Sequence, residues 1–256
     1  MPAYGIIGAQ WGDEGKGKVV DFLAERADMV VRFSGGNNAG HTVINDFGEF
    51  ALHLVPAGIF WPHAEAVIGP GVVIDPGSLI DELTELQARD IDTSRLLISD
   101  HAHVVMPYHV QLDRFEEAAR GAGAIGTTGK GIGPTYVDKT SRVGIRMGDL
   151  LDEAYLRTRL EGAVRQKNAV LTKLYGAEPI DLDELYEQCL EHGRRWEGRR
   201  QGGGGSRPQS GLLVPDQNRG AGVGMYSPSF SKGTQGNGAE VDEHLGEFSV
   251  DGDRLK

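Results

Sequence analysis

The sequence predicts an α/β fold with a mostly parallel central sheet and flanking helices. Three observations predict it. Short apolar runs alternate with segments of helical periodicity, glycine-rich turns follow two of the runs, and the order strand–loop–helix–strand is complete within the first 43 residues. The chain has 256 residues, enough for one large domain or two modest ones with a sizeable core. Composition divides it into an α/β part over 1–200 and a glycine-rich tail over 201–256.

The first unit begins with an apolar strand, Tyr4 to Ile7, and continues through a glycine-rich turn, Gly8 to Gly17, into a helix from Lys16 to Arg26. A second strand, Met29 to Phe33, leads to a second glycine-rich turn, Ser34 to His41. Both turns leave the carboxyl ends of strands, where open parallel sheets place ligands, so both are expected to line one crevice. The first turn carries Gly8, Gly12, Gly15 and Gly17 and ends in Lys16 and Lys18 at a helix start. Consecutive free N–H groups there suit phosphate, and a lysine adds a positive point charge. The architecture is phosphate-loop-like, with two departures. Gly8 to Gly15 is two residues longer than the usual loop, and Gly17 stands where a Ser or Thr hydroxyl would reach magnesium. A metal therefore needs another ligand, and Asp13 is the candidate. In the second turn, Asn37 and Asn38 can read a donor/acceptor edge. His41, followed by Thr42, can hydrogen-bond a transferring phosphoryl group opposite Asp13.

Downstream, Ala51–Val55 and Ala66–Ile74 read as strands, the latter interrupted at Gly69-Pro70-Gly71. Asp75 caps a helix with Pro76 in its first turn and a Leu79, Leu83, Leu86 stripe. Arg95–Ser99 reads as a buried strand. His101, His103 and His109 follow, with His101 and His103 on one side of a strand. No acidic or cysteine partner stands at a zinc spacing, which favours surface or satisfied interior histidines. Residues 109–120 are helical, with Leu112, Phe115 and Ala119 on one face. The glycines of 121–142 exclude a regular element, while Thr127, Thr128, Lys130, Lys139 and Arg142 are phosphate-seeking groups. Two amphipathic helices close the patterned region. One lies within 150–175, using Leu156, Leu160, Ala163, Val164, Leu171 and Leu174. The other starts at Asp181, with Leu182, Leu185, Tyr186, Cys189 and Leu190 on its apolar face.

Net charge is −11, which disfavours nonspecific nucleic-acid and anionic-membrane binding. One cysteine, Cys189, excludes an internal disulfide framework and reads as a core residue. Without a leader or a run of about 20 apolar residues, the expectation is a cytoplasmic protein.

WGDEGKGK, GGNNAGHTV, LVPAGIF, IGPGVVIDP and IGTTGKGIGP together resemble the adenylosuccinate synthetase family over about the first 175 residues. The resemblance implies a homodimeric, Mg2+-dependent ligase that forms adenylosuccinate from IMP, L-aspartate and GTP in AMP biosynthesis. By it Asp13 and His41 are catalytic, and Asp13 and the Gly40 backbone hold one magnesium ion. GTP falls to Gly12, Asp13, Glu14, Gly15, Lys16, Gly17, Lys18, Gly40, His41 and Thr42. IMP falls to Asp13, Glu14, Gly15, Lys16, Asn38, Ala39, Gly40, His41 and Thr128, with Arg142 reaching its phosphate from the other subunit. The tail after Trp196 shows neither sustained periodicity nor a match to the family's further strands, and it reads as disordered or aberrant. Family segments for aspartate and guanine recognition have no counterpart in it. A truncated, non-catalytic purine-nucleotide-binding fragment is the alternative to the enzyme. A partly folded fragment and a generic small-molecule kinase are further readings, the last opposed by Gly17.

Overall fold

A computed structural model of the chain describes residues 3–8, 15–200 and 222–226. Among these residues the main sheet has five strands, all parallel. In spatial order they are β1 (Ala3–Ile7), β9 (Gly222–Tyr226), β2 (Met29–Arg32), β5 (Glu65–Ile68) and β7 (Leu96–Ile98). Pairing aligns Ala3 and Met29 with Gly222, Met29 with Glu65, and Ala66 with Leu96. A parallel sheet needs apolar residues towards both faces, and Val30, Ala66 and Ile68 are fully buried within it. The predicted α/β class, parallel sheet and flanking helices are therefore observed.

The helices bury the faces read from their spacing in one hydrophobic core shared with this sheet. Helix α1 (Lys16–Ala24) buries Val20 and Ala24, and Trp61 Nε1–H reaches back to the Asp21 carboxylate at 3.3 Å. Helix α2 (Pro76–Ala88) starts as predicted, with the Asp75 carboxylate accepting the Ser78 N–H at 3.1 Å, and buries Leu79, Leu83 and Leu86. Burial of each leucine contributes on the order of 1.5–3 kcal/mol. In α3 (Pro107–Ala119) the buried face is Tyr108, His109, Leu112 and Asp113; Phe115 stacks on Tyr175, while Ala119 is exposed. Helix α5 (Glu153–Tyr175) buries every expected residue except Leu174, which faces solvent. Helix α6 (Leu182–Arg200) buries Leu185, Cys189 and Leu190.

Four expectations need correction. His41 is not in a turn. It opens β3 (His41–Asn45), which forms an antiparallel hairpin with β4 (Gly48–Leu52), and the Asn45 side chain accepts the Phe47 N–H to close the turn. Residues 121–142 are not wholly irregular. Helix α4 (Ile132–Thr140) occupies the second half, because Gly131, at φ +74°, starts it and Ile132, Thr135 and Asp138 supply a buried face. His101 and His103 do not share a strand: His101 lies in an exposed turn, whereas His103 is buried and opens β8 (His103–Val104), the parallel partner of β6 (Val73–Ile74). Finally, the tail contributes β9, which five-residue periodicity does not announce because its backbone, bonded on both sides, needs no alternating face.

Candidate active site

Strands β1 and β2 run in the same direction, so the segments that follow them leave the same edge of the sheet. From the first turn, Gly8 and Gly15–Lys18 are described. Gly12, Asp13 and Glu14 lie outside the described residues. Gly15 has φ +75° and accepts the N–H groups of Lys18 and Val19 at 3.0 and 3.3 Å, closing the first helical turn. Gly17 is buried against His41: a Cβ there would lie 2.8 Å from His41 Cγ. The second glycine segment also runs tight, since a Cβ at Gly40 would lie 2.7 Å from His53 Nε2. The start of α1 and the start of β3 thus meet, and the imidazole occupies the space denied to a Ser or Thr at position 17.

The pair is held by a buried network that the sequence did not point to. Arg32 is 6 % exposed, and its guanidinium donates to the carbonyls of Gly36, at 2.7 Å, and His53. Glu82, also buried, accepts the N–H groups of His53, Leu54 and Val55 at 3.0, 2.9 and 3.0 Å. Burial raises the Glu82 pKa despite these bonds. Burial, and then the charges of Arg32 and His53, lower the His41 pKa to about 4. His41 is therefore a neutral hydrogen-bonding group at pH 7, and its Nε2 is buried without a partner among the described residues. Asn37 donates to Ser78 Oγ at 2.9 Å, tying the second segment to the start of α2, and its Oδ1 is likewise unsatisfied. Orphaned buried polar atoms of this kind call for a ligand or solvent. Asn38 is half-buried beside it, and Ala39, Gly40 and Thr42 are exposed.

The third glycine-rich segment is joined to the second through α4. The Tyr136 hydroxyl accepts the Gly35 N–H at 2.8 Å and lies 2.8 Å from the Gly71 carbonyl, to which it donates. Ile132 packs so close to Gly36 that a Cβ there would lie 2.6 Å from it. The start of α4 is clamped to α3, where the Asp113 carboxylate accepts the Gly131 N–H at 2.9 Å. His109, completely buried, accepts the Met106 N–H at Nδ1; its proton therefore sits on Nε2 and points to Asp138, 2.9 Å away. Lys167 pairs with the other Asp138 oxygen. His109 is thus a satisfied interior histidine, as its sequence context favoured.

Thr127 and Thr128 border an open depression of about 500 Å³, shared with Arg114, Glu117 and Gly129. Arg142 sits past the far end of α4, at φ +62°, and its side chain is exposed. Nine helical residues span ~13 Å, so the fold keeps Arg142 away from Thr128 within one chain. Lys139 is turned inward onto the Pro70 carbonyl, which removes it from the phosphate-seeking set. Cys189 is buried in α6, and burial pushes its thiol up to about 12. Among the described residues no group of three His, Cys, Asp or Glu is placed to hold a metal ion, and no helix is long and apolar enough to cross a membrane.

A family model described as adenylosuccinate synthetase matches residues 5–200. An adenylosuccinate synthetase from Dehalococcoides mccartyi is 59 % identical over 194 residues, covering 76 % of this chain and 46 % of that protein. Another, from Saccharopolyspora erythraea, is 56 % identical over 200 residues, covering 78 % and 47 % respectively. The fully ligated adenylosuccinate synthetase from Plasmodium falciparum superposes with a TM-score of 0.67 at 34 % identity, covering 77 % of this chain and 45 % of its own. The chain spans about half the length of the curated relatives it matches. On the match over 5–200, the chain belongs to the adenylosuccinate synthetase family.

Proposed function

We propose that the chain takes part in GTP-dependent ligation of IMP and L-aspartate to adenylosuccinate, supplying the phosphate-binding and acid–base groups of a homodimeric cytoplasmic enzyme. The packing of His41 on Gly17 carries this reading: it sets a neutral imidazole beside a helix start that can cradle phosphate. In the first step Asp13 takes the N1 proton of IMP, and O6 forms a bond to the γ-phosphorus of GTP as the bond to the β-phosphate oxygen breaks. In the second, the aspartate amine bonds C6 and phosphate departs. Neutral His41 donates a hydrogen bond to the transferring group, whose charge would otherwise rise unscreened. Gly15, Lys16, Gly17, Lys18 and Thr42 serve GTP with Gly12 and Glu14. Asn38, Ala39, Gly40 and Thr128 serve IMP, and Arg142 reaches the phosphate from the second subunit, in keeping with its distance from Thr128 in one chain.

A carboxylate at Asp13 and the Gly40 carbonyl are hard oxygen donors, a set that suits Mg2+ when substrate phosphates and water complete the shell. The ion would neutralise charge on the phosphates. A second reading is a purine-nucleotide-binding chain without turnover of its own.

Turnover with IMP, GTP, aspartate and Mg2+, with IMP binding measured on the same sample, separates the two. The first reading expects adenylosuccinate, and a loss of ~10²-fold or more in Asp13→Ala and His41→Ala. A variant keeping more than about a tenth of the rate rejects the assigned role. IMP binding without product establishes the second reading.

A further inference from the structure

Consecutive backbone N–H groups around a left-handed glycine form a concavity that attracts anions. The third glycine-rich segment has one, because Gly126 is at φ +80° and the N–H groups of Gly126 and Thr127 point the same way. They already hold an anion. Glu117, from the last turns of α3, places one carboxylate oxygen on both, at 3.3 Å from Thr127 N, while its other oxygen takes Arg120 at 2.9 Å. These contacts hold the Glu117 carboxyl below its ordinary range, the Gly126 N–H contributing most. The same depression is lined by Arg114, Thr127, Thr128 and Gly129, with the Arg114 stem against Gly129.

We infer that Glu117 is a built-in placeholder for a phosphomonoester: its carboxylate fills the Gly126–Thr127 amide concavity until a substrate phosphate displaces it. The proposal rests on the reading that the phosphate of IMP is held at Thr128. A phosphate dianion brings more charge and three terminal oxygens to amides that Glu117 meets with one. It also leaves Arg114 and Arg120 facing the incoming charge. Because α3 carries the carboxylate and the 121–131 segment carries the amides, displacement frees residues 126–127 from α3 while Asp113 still holds the Gly131 N–H. The loop then rearranges over its ligand instead of over its own chain. Occupation of the amides by Glu117 reduces apparent affinity by the fraction of chains in which they are free.

Affinities of the full chain for IMP, ribose 5-phosphate and inosine, measured calorimetrically for wild type, Glu117→Gln and Glu117→Ala, test this. Both variants are expected to bind IMP and ribose 5-phosphate ~3–10-fold more tightly, and inosine with unchanged affinity. The amide resonances of Gly126 and Thr127 in ligand-free protein should shift on substitution, which reports the contact without any ligand. Tightening for ribose 5-phosphate with no IMP binding at all supports the placeholder and rejects IMP as its ligand. Unchanged or weakened binding of both phosphates in both variants, or amide resonances that do not move, overturns the proposal.

Discussion

The imidazole of His41 fills the volume that a side chain at Gly17 would need. In ordinary phosphate loops that position carries the hydroxyl that reaches the metal. Here glycine and histidine form one unit, and neither position is free to change alone.

Gly17→Ala puts a Cβ into the His41 ring and must push either β3 or the start of α1 aside. The expected result is loss of nucleotide-dependent thermal stabilisation, with affinity down at least ~10-fold. Gly17→Ser, despite regaining a hydroxyl, should behave the same way. Thermal shift with GTP and Mg2+ checks it.

Glu82→Ala leaves three N–H groups, those of buried Leu54 and Val55 and of half-buried His53, without an acceptor and removes the carboxylate whose charge favours the buried Arg32 guanidinium. A destabilisation of about 3–5 kcal/mol is expected, read as a lower urea midpoint with unchanged slope. Less than about 1 kcal/mol would show that the turn at 53–55 finds other acceptors.

Tyr136→Phe deletes the hydroxyl that bridges Gly35 and Gly71. The fold should lose about 1–2 kcal/mol, and the second and third glycine-rich segments should exchange their amides faster. Hydrogen exchange at Gly35 is the direct measurement. Protection equal to wild type would mean that Ile132 packing alone fixes the contact.

Acidification from pH 6.5 to 4 should lower stability. His41 and His103 have folded pKa values of about 4, so the unfolded state, near 6.5, binds more protons throughout that window. Stability is full above pH 6.5 and is lost towards pH 4. Glu82, with its raised pKa, works in the opposite sense and moderates the loss. Melting temperatures should drop by several degrees across the window, and His41→Gln should flatten the profile.

Cys189 should resist thiol reagents in the native chain, since burial in α6 both covers it and raises its pKa. Labelling that keeps pace with global unfolding is the expected kinetics; rapid labelling in native buffer would place α6 among the segments that open locally.

Elements with a strong local signal were legible in the sequence. Asp75 and Pro76 marked the start of α2, and the Leu79–Leu83–Leu86 spacing marked its buried face. The hairpin of β3 and β4 was hidden because Thr42 and Ile44 are exposed and blur the alternation. Helix α4 was hidden by the glycines in front of it, although Ile132 and Tyr136 stand at helical spacing. Arg32 and Glu82 are 50 residues apart, and nothing local connects a strand arginine to a helix glutamate that meet only in the core. The orientation of Glu117 towards Gly126 has the same character, since the turn that presents those amides depends on a φ value and on no residue pattern.

Strand β9 lies between β1 and β2. The amino-terminal strand therefore has no neighbour in the sheet until residues 222–226 have been made. At ~5–20 residues per second, a ribosome takes on the order of ten seconds or more to deliver them. Throughout that interval the nascent chain presents Met29–Arg32 with one edge open, and Ala3–Ile7 has nothing to pair with. During synthesis, completion of the sheet waits for a segment that begins about 190 residues beyond β2, and a chaperone that shields an unpaired strand edge would have its longest opportunity on β1 and β2.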